Sequence, residues 1–514
     1  GAVDAAVAIQ LVLNLVEPQS SGIGGGAFLV HWTAAGKKLT TYDGRETAPA
    51  AATPERFLGA DGKALRFMDA VVGGKSVGVP GTLRVLEMAH KAQGKLPWAQ
   101  LFEPAIELAE NGFPMPARLH NLLKGEKNLG LHEPAKSYFY NADGSPRAVG
   151  EKMVNKPFAE VLRQVARNGA DAFYTGEIAR DIVAAIRNAP VNAGDMTEAD
   201  LAGYRPKERD AVCGSYRIHV VCGMGPPSSG ALTVLQILGV LAEFDMSKIK
   251  PDSKEAAHLL AEAGRVAYAD RSLYMADSDF VNVPVRGLID PGYLKSRARL
   301  VDPAKAMGKA SPGEPPFRQG GLWGRDDSLE LPSTSHISVI DGQGNALSMT
   351  TTIEDGFGAR LMVRGFLLNN ELTDFAFTPV DDGKPVANRI EPGKRPRSSM
   401  SPTLVFDREG KPIMTVGGPG GSAIINYVAK TLVGVLDWGL DIQKAINLPY
   451  VGSRGGATEL EKGTAAEALK APLEAMGHEV RVLDFTGGLQ GIMVTANGLV
   501  GGADPRREGV ALGD

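Results

Sequence analysis

Apolar positions along this chain fall into two regimes. The first opens with AVDAAVAIQLVLNLV, Ala2 to Val16, apolar except at Asp4, Gln10 and Asn14. That run is too short to span a bilayer and reads as a buried core helix. The glycine-rich SSGIGGG follows, then AFLVHWTAAGKKLTTYD, two strand-like runs about a glycine-containing turn, which predicts a hairpin. Helical spacing then dominates, in PGTLRVLEMAHKAQG, AEVLRQVARNGADAF and SKEAAHLLAEAGRVAYADRSLYMAD. A stretch rich in Gly, Pro and charge, Met307 to Leu331, reads as exposed and ends this half.

The second regime is strand-like: HISVID, ALSMTTTI, GFLLNN, PTLVFD and PIMTVGG. A helix follows in SAIINYVAKTLVGVLDWG, and the chain closes on HEVRVLDF and GLQGIMVTANG. No repeat of fixed period is present. Hairpins mixed with helices predict an α+β fold of antiparallel sheets with helices packed outside them. The AFLVHW hairpin needs sheet partners, so the strand-rich half is not a separate domain.

Composition narrows the function classes. The 514 residues carry a formal charge of −4, which offers no concentrated basic face for nucleic acid. The eight histidines are scattered without zinc-type spacing, so neither a metal nor another cofactor is predicted. The two cysteines sit in VCGSYRIHVVCGM, where a hairpin turning around Tyr216 to His219 sets Cys213 opposite Cys222. A cross-strand disulfide, suited to an oxidising compartment, and two semi-buried thiols both fit that placement.

Three glycine patterns differ in weight. GIGGGA, Gly22 to Ala27, matches a dinucleotide fingerprint, but a helix precedes it and a strand follows, the reverse of what phosphate binding requires. GKSVG, Gly74 to Gly78, matches a nucleophile elbow, but Pro80 and Gly81 stand where its helix must start. TVGGPGGSAIINYVAK has the right order: a strand enters Gly417, Gly418, Pro419, Gly420 and Gly421, then a helix capped by Ser422. An oxyanion hole and a plain strand-to-helix turn both fit it.

Chemistry concentrates in PSTSHISVIDGQGNALSMTTT, Pro332 to Thr352. A hairpin turning about Gln343 places Thr334 opposite Thr352. A cross-strand threonine pair is common in sheets; the alternative is a nucleophile and the residue that orients it. A threonine hydroxyl needs a base. Cleavage between Ser333 and Thr334 would supply one, because the freed α-amine has a reference pKa of about 8. By spacing alone, Ser333 and Ser335 compete for the role.

VEPQSSGIGGG, DGRETAP, STSHISVIDGQGNALSMTTTIEDGFG, LLNNELTDF, PGKRPRSSMSPT, GGPGGS and ADPRREG together resemble the γ-glutamyltransferase family of N-terminal-nucleophile hydrolases, in family order along nearly the whole chain. The resemblance implies a four-layer αββα sandwich and self-cleavage into a large subunit, residues 1–333, and a small catalytic one, residues 334–514, which stay together as one unit. It makes Thr334 the nucleophile, Thr352 its support, and Gly420 and Gly421 the oxyanion pair. Arg45 with Ser398 and Ser399 is expected to bind the donor α-carboxylate, and Asp374 its α-amine. Glu354 and Glu371 fall at further amine-side positions, where other members carry Asn and Gln. The implied donor is glutathione or another γ-glutamyl compound, the acceptor water or an amino acid or peptide amine, in a periplasmic or secreted setting.

Against that family's pattern, the chain is expected to lack the usual first helix and strand and the export signal. The segment between Asp374 and Ser398 contains no tyrosine, where some members carry one that covers the bound glutamyl group, so a more open site is expected. The rival in the same fold is an acylase that removes a glutaryl group from a cephalosporin. Glutaryl lacks the α-amine, leaving Asp374, Glu354 and Glu371 without a purpose. A rival of another class is a non-catalytic nucleotide-binding protein built on the glycine loops.

Overall fold

In the computed structural model, which describes residues 1–318, 323–326, 328, 330–331 and 333–513, two sheets lie face to face between two layers of helix. The first sheet runs in the order Lys207–Arg209, Lys38–Gly44, Gly26–Thr33, Ala346–Thr352, Ser335–Ile340, all antiparallel. The second runs Gly498–Ala503, Gln490–Thr495, Pro412–Gly417, Thr403–Phe406, His219–Gly223, Val212–Tyr216. The early hairpin thus finds its partner in Ala346–Thr352, as its exposed edge required.

Strand periodicity divides the core. Ala27 and Leu29 face helices Ala2–Val16 and Thr82–Gln93, while Phe28 and Val30 face the second sheet. Beyond that sheet pack Gly230–Leu241, Lys254–Tyr274, Ile424–Leu436 and Ile442–Asn447. Polar pins cross between the sheets: the Ser348 hydroxyl donates to the Val416 carbonyl at 3.1 Å and accepts the Thr403 N–H at 3.0 Å. Thr415 donates to the Leu347 carbonyl at 3.1 Å. These satisfied bonds fix the relative register of the two sheets.

Three expectations need correction, and one expected strand lies in a sheet of its own. Of GFLLNN only Phe366–Leu367 forms a strand, because the Asn369 side chain is held by the backbones of Gly24, Gly78 and Glu371. HEVRVLDF contributes Val480–Leu483 to a small separate sheet with Val451–Ser453 and Thr458–Glu461. Ser422 does not cap the helix: a 3-10 turn spans Gly421–Ala423, the helix starts at Ile424 without a side-chain cap, and the Ser422 hydroxyl accepts from Arg454. The stretch expected to be exposed, Met307 to Leu331, is mixed. Phe317 is 73% exposed, whereas Asp326 and Glu330 are buried against arginines. Gln319, Gly320, Gly321, Leu322, Asp327 and Leu329 of that stretch, with Pro332 next to it, lie outside the described residues.

Among the described residues no helix is long and apolar enough to cross a membrane. Cys213 and Cys222 are directly opposed in their hairpin and joined as a disulfide, with Cα atoms 4.1 Å apart. The closed loop is short, so replacing both cysteines by serine is expected to cost about 2 to 3 kcal/mol. Denaturant unfolding with and without reductant checks this, and the intact unreduced protein should weigh two hydrogens less than its reduced form.

Candidate active site

The hairpin register sets the centre of the site. Ser335 pairs with Thr351 and Ile340 with Ala346, which places the turn about Gln343 and leaves Thr334 just ahead of the strand, beside Thr352. The Thr334 hydroxyl donates to the Thr352 hydroxyl at 3.0 Å, and the latter also accepts the Glu354 N–H at 2.9 Å. Ser333 and Ser335 are engaged elsewhere: Ser333 donates to the Gln19 carbonyl at 2.9 Å, and Ser335 to Glu17 at 2.9 Å. The Thr334 backbone is clamped on both sides, its N–H to the Ser20 carbonyl at 3.2 Å and its carbonyl to Arg507 at 2.8 Å. Its φ is +93°, a conformation a β-branched residue adopts only under constraint. Such strain is worth about 1 to 3 kcal/mol, and here it sits at the Ser333–Thr334 peptide.

Thr334 lines a narrow cleft of about 20 Å³. One wall is acidic. Glu354, Glu371 and Asp374 are buried there around Arg45. Arg45 Nη1 donates to Glu371 and Nη2 to Asp374 and the Arg397 carbonyl, while Nε donates to the Pro396 carbonyl. Glu354 accepts from Asn370. Burial, reinforced by the neighbouring carboxylates, pushes Glu354 well above the usual range. Burial also raises Glu371 and Asp374 well above it, against the opposing pull of Arg45. Glu46, buried behind them, is raised to about 7 by burial. One guanidinium does not balance four carboxyls. Consistent with that excess, one oxygen of Glu371 and one of Asp374 accept from no N–H or O–H donor among the described residues.

Ser398 and Ser399 also line the cleft. Ser398 is turned into its own turn, accepting the Met400 N–H at 3.1 Å. Ser399 donates to Glu330 at 2.5 Å and accepts from Arg271 Nη2 at 2.6 Å. Gly420 and Gly421 have φ of +143° and +57°, which glycine alone adopts readily. Their N–H groups donate to no partner among the described residues. A side chain at Gly421 would strike the carbonyls of Glu330 and Leu331, at 2.8 and 2.6 Å from its Cβ. The segment just before Thr334 therefore lies against this turn.

Nine of the ten residues that the sequence reading placed in the catalytic and substrate-binding sets line this cleft, and the tenth, Gly420, stands next to Gly421. That reading missed Glu330, Arg271 and Glu46, which join the site through burial and ion pairing and carry no motif of their own. It also left the histidines unlinked. His258 and His478 meet at 2.7 Å beside Glu262, but their ligand atoms are buried and already have protein partners in Asp302, Thr458, Arg265 and Met307. Of the glycine decoys, GKSVG is closed, because the Ser76 hydroxyl is buried and donates to the Val71 and Gly73 carbonyls.

Comparison with known proteins agrees with this architecture. The family model described as Gamma-glutamyltranspeptidase matches residues 1–514. A glutathione hydrolase proenzyme of Bacillus subtilis (strain 168) is 38% identical over 525 residues, covering 100% of this chain and 87% of the relative. Its counterpart from Escherichia coli (strain K12) is 38% identical over 520 residues, 98% of this chain and 86% of the relative. Among solved structures, a cephalosporin acylase from Bacillus halodurans superposes with a TM-score of 0.84 at 27% identity, covering 99% of this chain and 90% of that one. A match over the full chain, with relatives of this identity and coverage, means that the chain belongs to the gamma-glutamyltranspeptidase family.

Proposed function

We propose that this protein is a γ-glutamyl acyltransferase and hydrolase that activates itself by cutting the Ser333–Thr334 bond. The observation that carries the reading is the Thr334–Thr352 hydroxyl pair at the mouth of a cleft with an excess of buried carboxylates on one wall. A γ-glutamyl group presents an ammonium, which those carboxylates suit, and a carboxylate beside it. A glutaryl group has no ammonium. Although a solved relative is a cephalosporin acylase, Asp374, Glu354 and Glu371 favour the γ-glutamyl donor over the glutaryl one.

Self-cleavage begins with attack of the Thr334 hydroxyl oxygen on the Ser333 carbonyl carbon. The peptide C–N bond breaks, the nitrogen takes the hydroxyl proton, and water opens the resulting ester to leave a Ser333 carboxylate. Residues 1–333 and 334–514 then form the large and small subunits. In turnover the freed α-amine accepts the Thr334 hydroxyl proton as the oxygen attacks the γ-carbonyl of the donor. The Gly420 and Gly421 N–H groups stabilise the oxyanion. Collapse expels the donor amine, which takes up that proton, and leaves a γ-glutamyl ester. Water releases glutamate from it; an amino acid or peptide amine forms a new γ-glutamyl amide.

In this reading Asp374, with Glu354 and Glu371, holds the ammonium, and Ser398 and Ser399 meet the α-carboxylate. Arg45, which the family pattern gives to the same carboxylate, would have to exchange one of its acidic partners for it. The disulfide and the family together favour a periplasmic or secreted setting. Glutathione is the default donor.

Intact mass and N-terminal sequencing test the reading directly: two fragments are expected, one starting Thr-Ser-His-Ile, and Thr334→Ala should stay uncut. A single uncut wild-type chain after prolonged incubation would sink it. Thr352→Ala removes the bond that orients the nucleophile and should slow both cleavage and turnover by about ten- to a hundredfold. The pH dependence has a definite sign. Ammonium binding requires charged carboxylates, and burial makes Glu354, Glu371 and Asp374 hold their protons to unusually high pH, so the KM of a γ-glutamyl anilide should rise as pH falls. The KM of a glutaryl anilide should not rise with it, whereas kcat should climb toward the α-amine range near 8.

A further inference from the structure

We infer that Tyr427 is a positioning residue for acyl transfer: its ring is the backstop that keeps the Gly420 N–H aimed at the developing oxyanion. The inference deepens the proposed function and rests on it for the reaction.

A donor stabilises an oxyanion only if it is fixed before the charge develops, because reorganising it during the reaction would return the gain. Gly420 has little of its own to fix it. Its φ of +143° lies in a region that glycine samples freely. Its carbonyl accepts the Ala423 N–H at 3.2 Å, but its N–H donates to no partner among the described residues. Packing must therefore do the holding. The three atoms nearest to a Cβ added at Gly420 all belong to Tyr427, with Cε2 at 2.5 Å and Cδ2 at 3.2 Å, so the turn rests directly on that ring. In front, Gly421 meets the carbonyls of Glu330 and Leu331, which belong to the fragment before the cut. If that tail withdraws after cleavage, the turn keeps only the support behind it.

The ring is itself immobilised. Tyr427 sits in the first turn of helix Ile424–Leu436 and is buried. It stacks on Tyr450 with ring centroids 4.0 Å apart and planes at 26°, and Phe485 closes the pair edge-on, 6.0 Å from each. Tyr450 in turn donates its hydroxyl to Asp504 and its N–H to Glu461 at 2.9 Å. Lys430 and Arg506 lie over its ring, at 4.5 and 4.1 Å from the centroid. Aromatic stacking and cations over a ring each add attraction beyond the buried area. Two locked rings thus stand behind one glycine, and it is the Tyr427 ring, not its hydroxyl, that makes the contact.

The test compares Tyr427→Ala and Tyr427→Leu, which remove the ring, with Tyr427→Phe, which keeps it. Val433→Ala, a core truncation further along the same helix, controls for lost stability alone. Intact mass gives the cut fraction, by which rates are divided, and unfolding temperature reports folding; if Tyr427→Ala does not fold, Tyr427→Leu, closer in volume, carries the test. With a γ-glutamyl anilide both ring-less variants should lose about tenfold or more in kcat while KM stays within about twofold. Tyr427→Phe and Val433→Ala should keep kcat within about twofold of wild type, although Val433→Ala unfolds at a lower temperature. A boronic acid analogue of the γ-glutamyl group, whose tetrahedral adduct with Thr334 presents an oxygen to the same N–H groups, should lose affinity in step with kcat, and L-glutamate should not. Unchanged kcat in the ring-less variants, an equal loss in Tyr427→Phe or Val433→Ala, a loss carried by KM, or folded ring-less chains that stay uncut would each overturn the inference. A wild type that takes a glutaryl anilide but no γ-glutamyl one would refute the γ-glutamyl donor, and the same kcat split, read on the glutaryl anilide, would still decide the role of Tyr427.

Discussion

Everything at the site depends on one antiparallel register, that of Ser335–Ile340 against Ala346–Thr352. Side chains alternate along a strand, so a slip of one residue would turn Thr352 to the opposite face and exchange the two cores. The register is held from three directions. The Gly26–Thr33 strand pairs with Ala346–Thr352 over seven residues, the second sheet pins Ser348, and the Ser20 carbonyl takes the N–H groups of both Thr334 and Ile353. With both strands fixed, the positive φ of Thr334 is imposed by its surroundings rather than relaxed away.

The second constraint is electrostatic. A cleft lined by crowded carboxyls and guanidinium groups is unfavourable in a low-dielectric interior unless each charge has a partner. Arg271 and Arg397 each have a carboxylate partner, while Glu371 and Asp374 each keep an oxygen without a donor among the described residues. In the proposed function that asymmetry would favour a ligand carrying both signs of charge. An apolar pocket of equal size would bind by area alone and discriminate less.

Much of this was legible in the residues. Alternation located the main strands, GQG located the hairpin turn, and the two threonines fell opposite each other by counting. The helix Gly230–Leu241 was not picked out, since it is apolar on almost every side and shows no 3.6-residue stripe. Nor was the burial of Glu330: in sequence it belongs to a polar, glycine- and proline-rich stretch, and only Arg271, fifty-nine positions earlier, and Ser399, sixty-nine later, make its burial tolerable. Local pattern carries local structure. Pairings between distant charges are decided by the fold.

The two sheets also bear on how a cut molecule would hold together. Gly26–Thr33 is sandwiched between a strand of its own fragment and one from beyond Thr334, and His219–Gly223 pairs with Thr403–Phe406 across the same divide. Neither fragment owns a complete sheet. Separating them would expose unpaired strand edges and the apolar faces of both cores at once, a cost close to that of unfolding. Such a pair would not behave as an ordinary reversible dimer that falls apart on dilution. Its lifetime as a complex would be the lifetime of the fold, governed by an unfolding barrier instead of a dissociation constant.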